Sequence, residues 1–230
     1  MQLSSISKEN INTKDYWDKR FNEKVEGSWT SYSGESLTAG IAAEIAKRLI
    51  IKQNYEGAIL DFGCALGDAI PVYKHYFPFA KFIGVDISTK GIELCKKKFG
   101  NIAMFYACNI DDIPHVDTII ASNVMEHITD NKEYVEKLLS KCHDLYIAVP
   151  YNEKKPLHSE HVHSYNKHSF DYLKINGMKV DTSIFICRLH GLFGEIKQFI
   201  NIEVKNLIRP LFRRQKVNNL MHQILFHIHH

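Results

Sequence analysis

The chain has 230 residues, a formal net charge of +3 and 45% hydrophobic residues, so it is long enough for a self-sufficient core and too weakly charged to argue for nucleic acid. Five cysteines, Cys64, Cys95, Cys108, Cys142 and Cys187, are odd in number and show no CxxC; neither a disulfide framework nor a zinc knuckle is implied, and a reducing compartment fits. The polar N-terminus lacks a signal-peptide core and no apolar run approaches the roughly eighteen residues of a membrane span, so a soluble, cytoplasmic protein is expected.

In chain order, residues 1–56 read as an N-terminal helical cap. Its "DYWDKRF" suits a short amphipathic helix packing Trp17 and Phe21, and "ESLTAGIAAEIAKRLII" places Leu37, Ile41, Ile45 and Leu49 at every fourth position, a helix leading into a sheet. From residue 57, short apolar, β-branched runs recur as "GAILDF", "AKFIGVD", "IAMFYAC", "VDTIIAS" and "DLYIAVP", with helical stretches at 68–76, 88–99 and 130–142. Strands alternating with helices predict an α/β, doubly wound parallel sheet covered on both faces. Only residues 109–116 separate the third and fourth runs, short of the dozen or so of a normal crossover, so the helix there is vestigial. After Pro150, "YNEKKPLHSEHVHSYNKHSF" is polar, rich in histidine and too long for a plain connection, a candidate lid. "MKVDTSIFI" predicts a further strand, 189–221 a basic amphipathic insertion, and "HQILFHI" a last strand within 222–230 that completes the core of 57–188.

Ligands of open α/β sheets sit beyond the carboxyl ends of the strands, where the connections diverge, and the first run ends at "LDFGCALGDAIP". Gly63 and Gly67 do not supply the GxGxxG of a dinucleotide site, and Ala65 stands at the middle glycine of the usual GxGxG. Asp61 would repel a pyrophosphate but suits a ligand with positive charge, and S-adenosylmethionine carries an ammonium and a sulfonium. Nineteen residues past Gly67 a second run ends at Asp86, placed to accept from two ribose hydroxyls. A third ends at "ACNIDDIP", where the Asn109 amide meets an adenine edge and Ile87 and Ile110 sandwich the ring. The fourth, "IIASNVMEHITD", ends where the sulfonium would sit.

These four strand ends, in this order over 57–180, resemble the class I S-adenosylmethionine-dependent methyltransferases. The resemblance implies a Rossmann-like sheet, mostly parallel with an antiparallel last strand, and a reaction releasing S-adenosylhomocysteine. It assigns the methionine end to Asp61, Gly63 and Gly67, with Cys64 and Ala65 in the same turn, the ribose to Asp86, and the adenine to Asn109 and Ile110 beside Ile87. Asn123 joins this set at the fourth strand. Tyr16, Arg20 and Trp29 match an entry segment that caps the cofactor. Two positions depart from the family. A methyl at Ala65 clashes if that residue needs positive φ, although binding is expected to survive. Asn109 replaces the usual acid and keeps both a donor and an acceptor.

Methyl transfer to a hydroxyl needs alignment and a base. His127 in "NVMEHITD" and His161 in "HSEHVHSY" are the candidate catalytic residues, matching an "EH" after the fourth strand and an "EHV" before a short helix in similar enzymes. A backbone-bonding scaffold for His127 and a lid hinge for His161 stay open. Two groupings have the ligand chemistry for a cation, His158, His161 and His163 around Glu160, and Asn123 with Glu126 and His127. In an extended loop His161 and His163 converge while Glu160 points away. The spacing decides neither grouping, a solvated lid accounts for the first, and no metal ligand is assigned.

The stretch from Leu189 carries an apolar stripe at helical spacing, and its six cations, Lys197, Lys205, Arg209, Arg213, Arg214 and Lys216, face two acids, Glu195 and Glu203. Such an element resembles methyltransferases of bacterial surface-polysaccharide gene clusters, which implies a small-molecule acceptor, anionic or glycan-related, with membrane contact or a homodimer through 189–216 as further roles. No NPPY or PC pair follows the fourth strand, against nucleic-acid methylation. O-methylation of a sugar or phosphate-bearing intermediate is the reading, with N-methylation of a small metabolite or a non-catalytic cofactor-binding scaffold as alternatives.

Overall fold

The computed structural model describes residues 12–22, 37–187 and 222–230. Trp29 and the insertion 189–221 lie outside the described residues. The five expected parallel strands form as β1 (Ala58–Phe62), β2 (Lys81–Asp86), β3 (Met104–Ala107), β4 (Thr118–Ser122) and β5 (Asp144–Pro150), followed by β6 (Lys179–Ile186) and β7 (His222–His229). They make one seven-stranded sheet in the order β3-β2-β1-β4-β5-β7-β6. β1 pairs in parallel with both β2 and β4, so the chain winds outward from β1 in both directions. β7 runs antiparallel between β5 and β6.

Alternation along the strands builds two cores. Ile59 of β1 belongs to one face, packed under α2 (Leu37–Ala46), α3 (Ile70–Tyr76) and α4 (Thr89–Phe99). Leu60 and Phe62 belong to the other, covered by α5 (Asn131–Leu139) and α6 (Asp171–Ile175). The central strands are buried on both sides because helices lie on both. The shortened crossover after β3 is a single 3₁₀ turn, Ile110–Asp112. No helix among the described residues is long and apolar enough to cross a membrane.

The first helix, α1 (Lys14–Arg20), has Thr13 as its N-cap, the hydroxyl accepting from Tyr16 N. Seven residues are too few to hold a helix alone, so tertiary contacts must fix it. They come from the start of α4. Ser88 caps α4 by accepting from Gly91 N at 2.9 Å, and its hydroxyl donates to Asp18 of α1 at 2.6 Å. The same Asp18 oxygen accepts from Lys90 N at 2.9 Å. A carboxylate from α1 thus takes an orphan amide at the positive end of α4. Asp18→Ala should lower stability by about 1–2 kcal/mol in urea denaturation and open residues 12–22 to proteolysis, whereas Asp18→Asn, which keeps an acceptor, should lose less.

Candidate active site

The turn after β1 runs left-handed three times, with φ of +73° at Gly63, +49° at Ala65 and +76° at Gly67. A Cβ on Gly63 would collide with the Val124 side chain, and one on Gly67 would lie 3.1 Å from Phe99 and 3.2 Å from Cys95 Sγ. Ala65 therefore sits where glycine is cheaper, by about 1–2 kcal/mol for an L-residue. Its N–H donates to Asp86 Oδ2 at 3.0 Å, a bond to an ionisable acceptor that offsets the strain. Gly63 N and Cys64 N both donate to Val85 O, at 2.8 and 2.9 Å, stitching the turn to β2. Ala65→Gly should leave the fold intact and gain about 0.5 kcal/mol in denaturant midpoint measurements, the relieved strain exceeding the entropy glycine adds to the unfolded chain.

At the end of β2, Asp86 Oδ1 accepts from Ser88 N at 2.9 Å. Past β3, Asn109 is exposed, Ile87 is half-buried, and Ile110 is 4% exposed, its side chain joining the core on the α5 side. Past β4, Asn123 has φ of +54°, and its side-chain oxygen accepts from Gln223 Nε2 of β7 at 2.7 Å. The β4 loop meets the β1 turn directly through Val124 and Gly63.

Three residues beyond Val124 stands His127, 9% exposed, its Nδ1 at 3.0 Å from Glu160 O. A carbonyl only accepts, so Nδ1 carries the proton and Nε2 the lone pair. Burial, then the neighbouring His161, pulls the His127 pKa down to about 4, keeping the ring neutral. His161 Nδ1 lies 2.6 Å from Glu153 Oε2, and the two imidazoles pack edge to face with centroids 4.9 Å apart. Glu126 is 1% exposed, and neither of its carboxylate oxygens has a hydrogen-bond partner among the described residues. Burial and, more weakly, Glu153 push its pKa up to about 8.

The lid differs from its expected alternation. Glu160 does not point away: it is 5% exposed, accepts from the Tyr16 hydroxyl, and lies 3.0 Å from Arg20 Nε. His163 turns instead to Thr129 O at 2.9 Å, and His158 is exposed. The reason is that Val162 N and His163 N bond to Glu126 O at 2.8 and 3.3 Å, so the segment is fixed to the β4 loop rather than extended. Tyr16 and Arg20 meet this lid, and Trp17 packs edge-on against His127 at 5.4 Å. Glu126 and Glu160 stand in the two cation groupings read from the sequence, whereas Glu153, which the structure brings to His161, was not singled out.

Residues 60–146 match the family model described as a methyltransferase domain. The match spans 87 of the chain's 230 residues, from β1 into β5. Solved structures with the same fold include the plantazolicin methyltransferase BpumL in complex with S-adenosylhomocysteine, at 17% identity and TM-score 0.55, covering 84% of each chain. A SAM-dependent methyltransferase from Aquifex aeolicus aligns at 12% identity and TM-score 0.56 over 86% of this chain and 95% of that one. Coclaurine N-methyltransferase bound to N-methylheliamine aligns at 12% identity and TM-score 0.57 over 83% and 70%. No curated protein matches the sequence.

The crevice suits a positively charged ligand electrostatically. Asp61 is 3% exposed, and burial together with nearby Asp86 pushes its pKa up to about 7. Burial raises Asp86 to about 6, although the N–H groups of Ser88 and Ala65 draw it back. A buried acid beside a partly buried one, with no ion pair to either among the described residues, favours a positively charged ligand. In the unliganded chain an unfolded Asp61 ionises near pH 4 while the folded one keeps its proton to about 7, so stability should fall as pH rises across that window. A cationic ligand holds both acids ionised, so its affinity should climb from pH 5.5 to 8, with proton release on binding near pH 6. Calorimetry in buffers of different ionisation enthalpy measures this, and flat affinity with no proton release would contradict it.

Proposed function

We propose that the enzyme methylates a hydroxyl oxygen of a small molecule, and that the acceptor is a sugar or phosphate-bearing intermediate of surface-glycan biosynthesis handled in the cytoplasm. When bound, S-adenosylmethionine supplies a methyl group already activated on sulfur. Asp61 faces its cationic methionine end with Gly63, Cys64, Ala65 and Gly67 forming the cradle. Asp86 has acceptor capacity left for the ribose, and Asn109, Ile87 and Ile110 serve the adenine. Tyr16 and Arg20 act on the site through Glu160, and Asn123 through Gln223.

The observation that carries oxygen as the acceptor atom is the His127–His161 pair. Each ring has its Nδ1–H committed, one to Glu160 O and one to Glu153, so each keeps a lone pair on Nε2 in a largely water-excluded corner beside the cofactor turn. An amine acceptor brings its own lone pair, whereas a hydroxyl must be made nucleophilic by losing its proton. For the anionic acceptor the support is the cation-rich stretch 189–216, which the sequence places between β6 and β7.

Incubation with S-adenosylmethionine and a panel of nucleotide sugars, sugar phosphates and amines, with the new methyl located by NMR, tests the reading. His127→Ala and His161→Ala should each lower turnover about a hundredfold or more while cofactor affinity stays within about twofold. Methylation of amines alone, or full turnover in both variants, would overturn it.

A further inference from the structure

We infer that Glu126, His127 and His161 form a binding site for one divalent first-row metal ion, such as Mn2+, Fe2+ or Zn2+, with a coordination position left for the acceptor hydroxyl. The inference rests on the O-methylation reading and gives the histidine pair its means: an ion on the two lone pairs acidifies the hydroxyl in place of direct proton acceptance by an imidazole.

One ligand atom from each of the three residues lies within 4.8 Å of the other two. Ligands about 2.1 Å from a tetrahedral metal sit about 3.4 Å apart, so the cluster needs to close by only about an ångström or so. The first argument is the unpartnered carboxylate. Glu126 is buried at 1% exposure with no hydrogen bond to either oxygen, while the neighbouring acids are matched, Glu160 by Tyr16 and Arg20, and Glu153 by His161. A buried carboxylate left alone among satisfied ones is a position built for something not drawn from the protein.

The second argument is the orientation of the rings. Metal-binding histidines donate the other ring N–H to a carbonyl or carboxylate, which fixes the tautomer and strengthens the ligand. Both histidines do this, His127 to a carbonyl and His161 to a carboxylate. The Glu126 carbonyl also accepts from Val162 N and His163 N, so the two segments that bring the ligands together, far apart in sequence, are held in register by backbone bonds. Two imidazoles and one carboxylate select an intermediate first-row ion over Mg2+ or Ca2+, which prefer oxygen alone. Three protein ligands leave the fourth position open, as in catalytic rather than structural sites.

Full-length enzyme stripped by chelation and titrated calorimetrically with Mn2+, Co2+ and Zn2+ should take up one ion per chain, and Co2+ should show visible ligand-field absorption. Glu126→Gln and His161→Ala should each weaken uptake at least tenfold. Glu153→Ala leaves all three ligands in place but removes the acceptor of His161 Nδ1–H, and should weaken it about tenfold. Asp181→Asn, in the grouping with His227 and His229 at the far end of the sheet, should change nothing. Absence of saturable binding by the native enzyme, undiminished binding in both Glu126→Gln and His161→Ala, or loss in Asp181→Asn would overturn the site. Hydroxyl methylation at full rate in chelated enzyme would also overturn it while leaving O-methylation standing. One bound ion in an enzyme that methylates only amines would support the site and remove that reading.

Discussion

Two backbone N–H groups, those of Ala65 and Ser88, converge on the single carboxylate of Asp86, and the arrangement of the crevice depends on that convergence. One bond holds a left-handed alanine in the turn after β1; the other fixes the residue that caps α4. From Ser88 the connection runs to Asp18 and so to α1, whose Tyr16, Trp17 and Arg20 reach Glu160 and His127. The cofactor turn, the helix over it and the lid histidines are therefore tied into one hydrogen-bonded chain with Asp86 at its root. A carboxylate is suited to this position because it has about four acceptor sites and two backbone amides use only half of them.

The sheet was legible in the sequence because its strands are short apolar runs, those at its centre buried on both faces, and each of the seven runs forms a strand. The vestigial crossover was legible too, since a span of 109–116 cannot hold a helical turn or two and still return to the sheet. Ala65 illustrates a different kind of success: motif position alone raised the question of positive φ, and the backbone adopts it. Less legible was the lid. Alternation of side chains is a rule for extended backbone, and Glu160 escapes it because the backbone of Val162 and His163 is bonded to Glu126 rather than running free. The Asn123–Gln223 bond joins residues a hundred positions apart, which no local pattern announces.

Three glutamates sit within one corner and have three different fates. Glu160 is matched by a guanidinium and a phenol, Glu153 by an imidazole, and Glu126 by neither. The difference follows from the elements that reach them. Helix α1 passes over the lid and supplies side chains to Glu160 from above, whereas Glu126 is sealed beneath, in the 3₁₀ turn Met125–His127 that follows β4. Burial alone would have made Glu126 a liability in a purely structural corner, where an apolar residue of similar size serves better.

The antiparallel placement of β7 has a consequence for how the molecule is assembled. Because β7 lies between β5 and β6, the sheet has a gap there until residues 222–229 have emerged from synthesis, and β6, although made earlier, has no neighbour to join. The β5–β7 pairing is thus the longest in sequence separation among the strand pairs, which places it late in folding. The same strand carries Gln223, so the carboxyl end of β4 acquires its final anchor only when the last strand slots in. Completion of the crevice is coupled to the docking of β7, and a nascent polypeptide still without that strand would hold a half-built sheet and an unanchored Asn123.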